Sequence, residues 1–296
     1  MDKIKPYIQA ARLRTLPLSV SGIIVGSALG SNSILQSSIF WLAILTTVGF
    51  QVLSNFANDY GDGVKGTDKN RKGEQRLVAS GIITPKSMKN AMVVTAILTL
   101  IVALLLICKA FGNENFGFSV LFLFLGIASI VAAIKYTVGK KAYGYSGLGD
   151  VFVFLFFGWL GVVGSYFLFI KNLQYDVFLP ATAIGLLSVA VLNLNNMRDL
   201  ENDKKTYKNT LVVKLGIKNA KIYHLFLIVT ALACTAVYVL YHYYSPKQFL
   251  FLIAFAPLLI NVVTVLKNTV NSELDKELKK VALSTFLFAV LFAIFI

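Results

Sequence analysis

Ala91-Met-Val-Val-Thr-Ala-Ile-Leu-Thr-Leu-Ile-Val-Ala-Leu-Leu-Leu-Ile107 runs without a charged side chain between Lys89 and Lys109. An α-helix rises about 1.5 Å per residue, so roughly 20 such residues cross a hydrocarbon core about 30 Å thick. Comparable blocks recur near 16–36, 38–58, 87–107, 117–137, 150–170, 177–197, 222–241, 248–266 and 281–296. The whole chain is 57% hydrophobic and 14% charged, against roughly 45–50% and 25% in soluble domains. Too few polar side chains remain to cover a water-facing surface, which excludes a soluble globule. The blocks predict an all-α polytopic membrane protein of about nine transmembrane helices in one bundle. No linker or low-complexity tract divides residues 1–296, so a single domain suffices, with motif loops near 58–89, 135–150 and 198–221.

The net charge is +14, a value that on a soluble fold would point to nucleic acid. Its placement decides otherwise. Before the first block lie 4 Lys and Arg, and alternate connections carry 7, 3, 7 and 4. Lys109, Lys171 and Lys247 stand alone in the intervening connections. This alternation follows the positive-inside rule, so the basic loops and the N-terminus are expected in the cytoplasm and Ile296 outside. Nucleic acid is thereby excluded as a partner and the lipid bilayer takes its place; a bacterial cell (inner) membrane is the expected location. Reading the basic start as a cleaved signal would spoil the alternation. Cys108 and Cys234 lack metal-like spacing and are expected to pack, while His224 and His242 read as interfacial packing residues at opposite ends of one block. No feature calls for an obligate protein partner.

Seven of the 14 acidic residues fall in two basic connections: Asp59, Asp62, Asp68 and Glu74 in one, Asp199, Glu201 and Asp203 in the other. Each connection leaves its helix through a similar phrase, Val52-Leu-Ser-Asn-Phe-Ala-Asn-Asp59 and Val191-Leu-Asn-Leu-Asn-Asn-Met-Arg-Asp199. On helices, positions four or seven apart share a face, so Asn55, Asp59 and Asp62 form one stripe and Asn195, Asp199 and Asp203 another. Desolvating these groups at the ends of apolar helices is costly without a function. Mg²⁺ takes oxygen ligands and commonly binds through one or two carboxylates plus substrate phosphate, which suits two sparse clusters. Diphosphate is then the missing ligand.

Cations for a diphosphate are available in Lys65, Arg71, Arg76, Lys140, Lys141, Arg198 and Lys204, each of which also serves the charge asymmetry of the membrane. Tyr136 and Lys140 are four apart, a spacing that on a helix turns both toward one phosphate oxygen. Asp150 reads as an N-cap of the fifth span. Metal and basic residues of this kind stabilise a departing diphosphate, and an apolar chamber keeps water from the allylic centre it leaves.

Asn58-Asp-Tyr-Gly-Asp62 with Asp68, Asp199-Leu-Glu-Asn-Asp203 and Tyr136-Thr-Val-Gly-Lys140 resemble the paired Asp-rich and Tyr-x-x-x-Lys motifs of the UbiA superfamily of intramembrane prenyltransferases. Arg14-Thr-Leu-Pro17, Asn58 to Asp68, Tyr143 to Asp150, Asn196 to Asp203 and Lys208 to Gly216 are similar to its branch that prenylates 1,4-dihydroxy-2-naphthoate. Gly66 departs from the pattern, standing where many members place a third Asp. The resemblance implies a nine-helix fold and transfer of a polyprenyl group from polyprenyl diphosphate, with loss of the acceptor's CO₂, to give demethylmenaquinone in menaquinone synthesis. It also implies Mg²⁺ on Asp59, Asp62, Asp199 and Asp203, with Asn55, Asn58 and Asn195 around it. Lys140, Arg76, Arg198 and Tyr136 are then expected on the diphosphate, and Arg14 on the naphthoate carboxylate. Two competing readings are prenylation of another aromatic acid, such as 4-hydroxybenzoate, and cation transport.

Overall fold

The computed structural model describes residues 4–67, 76–139 and 141–296. Lys5–Ala11 (α1) lies ahead of Leu16–Gly30 (α2), whose Pro17 occupies the first turn, where its missing N–H costs nothing. Then follow Ser38–Lys65 (α3), Pro85–Phe111 (α4) and Phe116–Lys135 (α5). Thr84 caps α4 by accepting the Ser87 N–H, with Pro85 behind it. The fifth span is Gly149–Val153 (α6), a π-helical stretch Phe154–Val163 and Gly164–Ile170 (α7). The last four spans contain Phe178–Lys205 (α8), Leu211–Tyr241 (α9), Leu252–Lys267 (α10) and Leu274–Phe295 (α11). Among the described residues, 9 helical spans are long and apolar enough to cross a membrane.

Burial ranks these helices. Two thirds of the apolar window of the α8 span is inside the protein, 67%, against 11% for α5. The centre of the bundle is therefore α8, with Ile184, Leu187, Leu194 and Met197 fully buried. By contrast α4 turns Val93, Val94, Ile97, Leu98, Ile101 and Leu105 outward, a row that only lipid can cover. The π-helical stretch is gripped from both sides by glycine contacts. A Cβ on Gly26 of α2 would stand 2.0 Å from the Val162 carbonyl oxygen, and one on Gly158 would stand 2.7 Å from Gly185 of α8. Backbones approach this closely only where side chains are absent.

The helices outrun the apolar blocks. With 28 residues each, α3 and α8 are about 42 Å long and exceed the hydrocarbon core by some 12 Å. Residues 58–65 and 198–205, expected in connecting loops, are consequently helical. Gly66, at φ +75°, ends α3 by turning left-handed, so the position that departs from the family motif is the helix stop. In the opposite sense, α5 ends at Lys135 and Gly139 sits at φ +97°, so the helix does not continue from Tyr136 through Gly139. Lys140 itself, like Asp68 and Arg71, lies outside the described residues. α9 begins at Leu211, ahead of its apolar block, and is broken at Gly216, where φ is +75°; His224 beyond the break is fully buried, with Nε2 2.8 Å from Asn261 Oδ1, so it packs inside the bundle.

Candidate active site at the helix ends

The end of α3 gives its four polar residues separate tasks. Asn55 is buried, and its amide donates to the Ala11 carbonyl at 2.8 Å and to Thr15 Oγ1 at 3.2 Å. Gln51 donates in turn to Thr15 Oγ1 at 3.1 Å and Asn55 Oδ1 at 3.4 Å, tying the start of the chain to α3. Asp59 accepts the backbone N–H groups of Leu77 and Val78 at 3.1 and 2.8 Å. Its carboxylate thus anchors the return turn at 76–80, which Leu77 and Val78 plug into a small core with Leu53, Phe56 and Met88. Asp62 faces the cavity instead. It accepts the Tyr145 hydroxyl at 2.6 Å, with Lys208 Nζ at 3.5 Å and Arg76 at 4.0 Å. Burial, and then the Asp62 charge, hold the Tyr145 phenol above its ordinary pKa, so it remains a donor.

On α8 the basic and acidic residues of the motif grip one another. Arg198 donates to both oxygens of Asp199 at 2.8 Å, to Asn195 Oδ1 at 2.7 Å and to Asp275 of α11 at 2.5 Å. Asp203 is buried one turn further on. Asn202 donates to the Thr67 carbonyl at 3.1 Å, and Thr67 Oγ1 lies 3.2 Å from the Tyr145 hydroxyl, so the ends of α3 and α8 meet across the 143–145 turn. The Tyr136 ring borders open space, yet its hydroxyl is withdrawn from water. Burial first, and then the charges of Asp150, Asp62 and Asp203, push that phenol's pKa up. Asp150 is not the N-cap of its helix, a place held by Leu148; it is buried, near Tyr223 of α9.

Two cavities meet here. The inner one, about 330 Å³, runs from Asn55 and Tyr136 down to Ile107 and Leu168, walled by α2 to α5 and the π-helical stretch. Phe122 lines it and packs in a ring cluster with Phe111, Phe118 and Phe167. The outer one, about 230 Å³, is lined by Arg12, Arg14, Asp62, Arg76, Arg198, Lys208, Asp275 and Lys279. Gln51, Asn58 and Tyr136 border both.

Asn58, Asp62, Arg76, Arg198, Asn195, Tyr136 and Arg14 are therefore brought to one place, whereas Asp59, Asp199 and Asp203 stand just behind its wall. Sequence reasoning missed Asp275, Lys208, Tyr145 and the Gln51–Thr15 pair. Tyr145 and Lys208 lay inside motif phrases; Asp275, 77 residues from Arg198, carried no signal. The donor set suits a hard cation. Only oxygen ligands are offered, and Asn58 Oδ1 is buried without a partner. Among the described residues no three His, Cys, Asp or Glu side chains gather into a metal cage. An ion held here must complete its shell with ligand oxygens from elsewhere, a habit of Mg²⁺ with phosphates.

An apolar chamber opening onto a charged mouth inside a helical bundle is the layout of an enzyme that works on a lipid with a polar head. The chain belongs to the UbiA prenyltransferase family, whose profile matches residues 19–293. It is 45% identical to the 1,4-dihydroxy-2-naphthoate octaprenyltransferase of Escherichia coli (strain K12), over 88% of this chain and 84% of that one. It is 40% identical to the protein of the same name from Haemophilus influenzae, over 99% and 96%. Among solved structures, a UbiA homologue from Archaeoglobus fulgidus bound to GPP and Mg²⁺ superposes with a TM-score of 0.66 over 97% of this chain and 99% of that one. At 13% identity that likeness concerns the fold.

Proposed function

We propose that this protein transfers a polyprenyl group from polyprenyl diphosphate to 1,4-dihydroxy-2-naphthoate with release of CO₂ and diphosphate, giving the quinol form of demethylmenaquinone. The observation that carries the reading is the junction of the two cavities at Asn58 and Tyr136. It offers an apolar volume for the first isoprene units and, within one side chain's reach, a charged mouth for the head group. The relatives' names supply the acceptor.

Each of this chain's residues has a task in that reaction. Arg76, Arg198 and Lys208 hold the diphosphate by charge-assisted hydrogen bonds as it departs, with Lys140 of the Tyr-x-x-x-Lys motif added to them. Asn58 and Asp62 from α3, and Asn195, Asp199 and Asp203 from α8, hold Mg²⁺; Asp59 fixes the turn that delivers Arg76. When bound, Mg²⁺ supplies charge to the diphosphate oxygens and makes them a better leaving group. Tyr136, kept protonated, donates to an oxygen at the neck. The phenylalanine-lined chamber excludes water while the allylic carbon is electron-poor. Arg14 receives the acceptor's carboxylate until the new C–C bond displaces it as CO₂. The basic face of the bundle lies in the cytoplasm of a bacterial cell and the enzyme spans the inner membrane.

The test is direct. Purified protein with Mg²⁺, a polyprenyl diphosphate and a panel of aromatic acids should yield a prenylated naphthoquinol one CO₂ lighter than simple addition would give, as read by mass. A product that keeps its carboxylate, or turnover of 4-hydroxybenzoate alone, would overturn the assignment.

A further inference from the structure

Arg198 is the most heavily committed cation of the site, and its commitments conflict with the metal. Its guanidinium side chain is 4% exposed and forms a two-pronged pair with Asp199, whose oxygens a divalent cation needs. A buried guanidinium cannot simply be abandoned, because an uncompensated charge in a dry site is strongly destabilising. The structure supplies a second carboxylate on the opposite wall. Asp275, in the first turn of α11, meets Arg198 Nη1 at 2.5 Å, lines the same cavity and keeps 43% of its side chain exposed.

We propose that Asp275 is a positioning residue that makes Asp199 available to the metal: it holds the guanidinium when the cation draws Asp199 away. Resting on the Mg²⁺ site proposed above, the device is an exchange of partners. In the resting state Arg198 bridges Asp199 and Asp275 across α8 and α11; in the loaded state it keeps Asp275 and turns its freed N–H groups to the diphosphate. Asp275 therefore contributes to metal affinity without coordinating the metal.

The experiment titrates the full chain in nanodiscs with Mn²⁺ alone, reading free Mn²⁺ by electron paramagnetic resonance. Asp275→Asn should weaken binding about tenfold, equivalent to about 1.4 kcal/mol, with little change in unfolding temperature. Arg198→Gln removes the competitor and should bind Mn²⁺ at least as tightly as the wild type. Adding Asp275→Asn to Arg198→Gln should then change nothing, since the two residues act through one another. Glu277→Gln is the control from the neighbouring buried position of α11, where Glu277 accepts from Asn261 at 2.7 Å; it should lower the unfolding temperature and spare Mn²⁺ affinity. Unchanged affinity in Asp275→Asn, or the same loss with and without Arg198, overturns the exchange. Absence of Mn²⁺ binding in the wild type, both alone and with inorganic diphosphate added, overturns the metal site itself and the exchange with it.

Discussion

Asp59 and Asp62 are three residues apart in one motif, yet they face different demands. The Asp59 carboxylate is matched to two N–H donors of the 76–80 turn; an amide in its place points one donor at another and leaves a buried N–H unpaired, a penalty of about 1–3 kcal/mol. Asp62 has a phenol and two cations as partners, groups that tolerate an amide oxygen. Asp59→Asn is therefore expected to lower the unfolding temperature clearly more than Asp62→Asn, while each loses at least tenfold in turnover, about 1.4 kcal/mol of barrier. Thermal unfolding beside initial rates checks both parts, and a larger thermal loss in Asp62→Asn would contradict the anchoring role. Spacing placed both aspartates on one helical face, but which oxygen meets which donor depends on a turn about twenty residues downstream, and no periodicity reports that.

Elements were legible where lipid wrote the pattern. Blocks of apolar residues mark the stretch of helix that hydrocarbon touches, so their number and order carried over into the nine spans, while the true ends of α3, α8 and α9 did not. Those ends are polar and helical because the motif side chains find partners on neighbouring helices, a tertiary effect absent from hydropathy. The π-helical stretch Phe154–Val163 was equally invisible, since one extra residue in a turn leaves a uniformly apolar block apolar. Its dependence on bare backbone is testable. Gly26→Ala sets a Cβ against the Val162 carbonyl and should destabilise by about 1–3 kcal/mol. Gly126 of α5, where an added Cβ meets nothing within 4 Å, should respond to the same change with a gain of about 0.5–1 kcal/mol in helix preference. Denaturant or thermal unfolding in mild detergent reads both signs; destabilisation of equal size at the two positions would mean that close approach of α2 is not what shapes the chamber.

For the whole molecule the decisive asymmetry is charge across the bundle. Every motif residue of the site belongs to the helix ends and connections that carry most of the Lys and Arg. The opposite face has only Lys109, Lys171 and Lys247, with exposed Tyr175, Tyr241, Tyr243 and Tyr244 beside them. Aromatic rings of this kind favour the headgroup layer at either surface, whereas basic residues favour the cytoplasmic side, so the lysines and arginines orient the protein and the tyrosines fix its depth. In the proposed orientation, the charged mouth faces the side where soluble acceptor and diphosphate are exchanged, and the apolar chamber lies on its bilayer side. In a Cys108→Ser, Cys234→Ser background, exposed Lys218 and Lys247 provide one probe for each face. Lys247→Cys should react with a membrane-impermeant maleimide in intact spheroplasts, and Lys218→Cys only after permeabilisation. Mass-tag shifts on a gel score each site separately. If Lys218→Cys is labelled in sealed spheroplasts while Lys247→Cys is protected, the bundle is inverted, and the acceptor must reach the site from outside the cell.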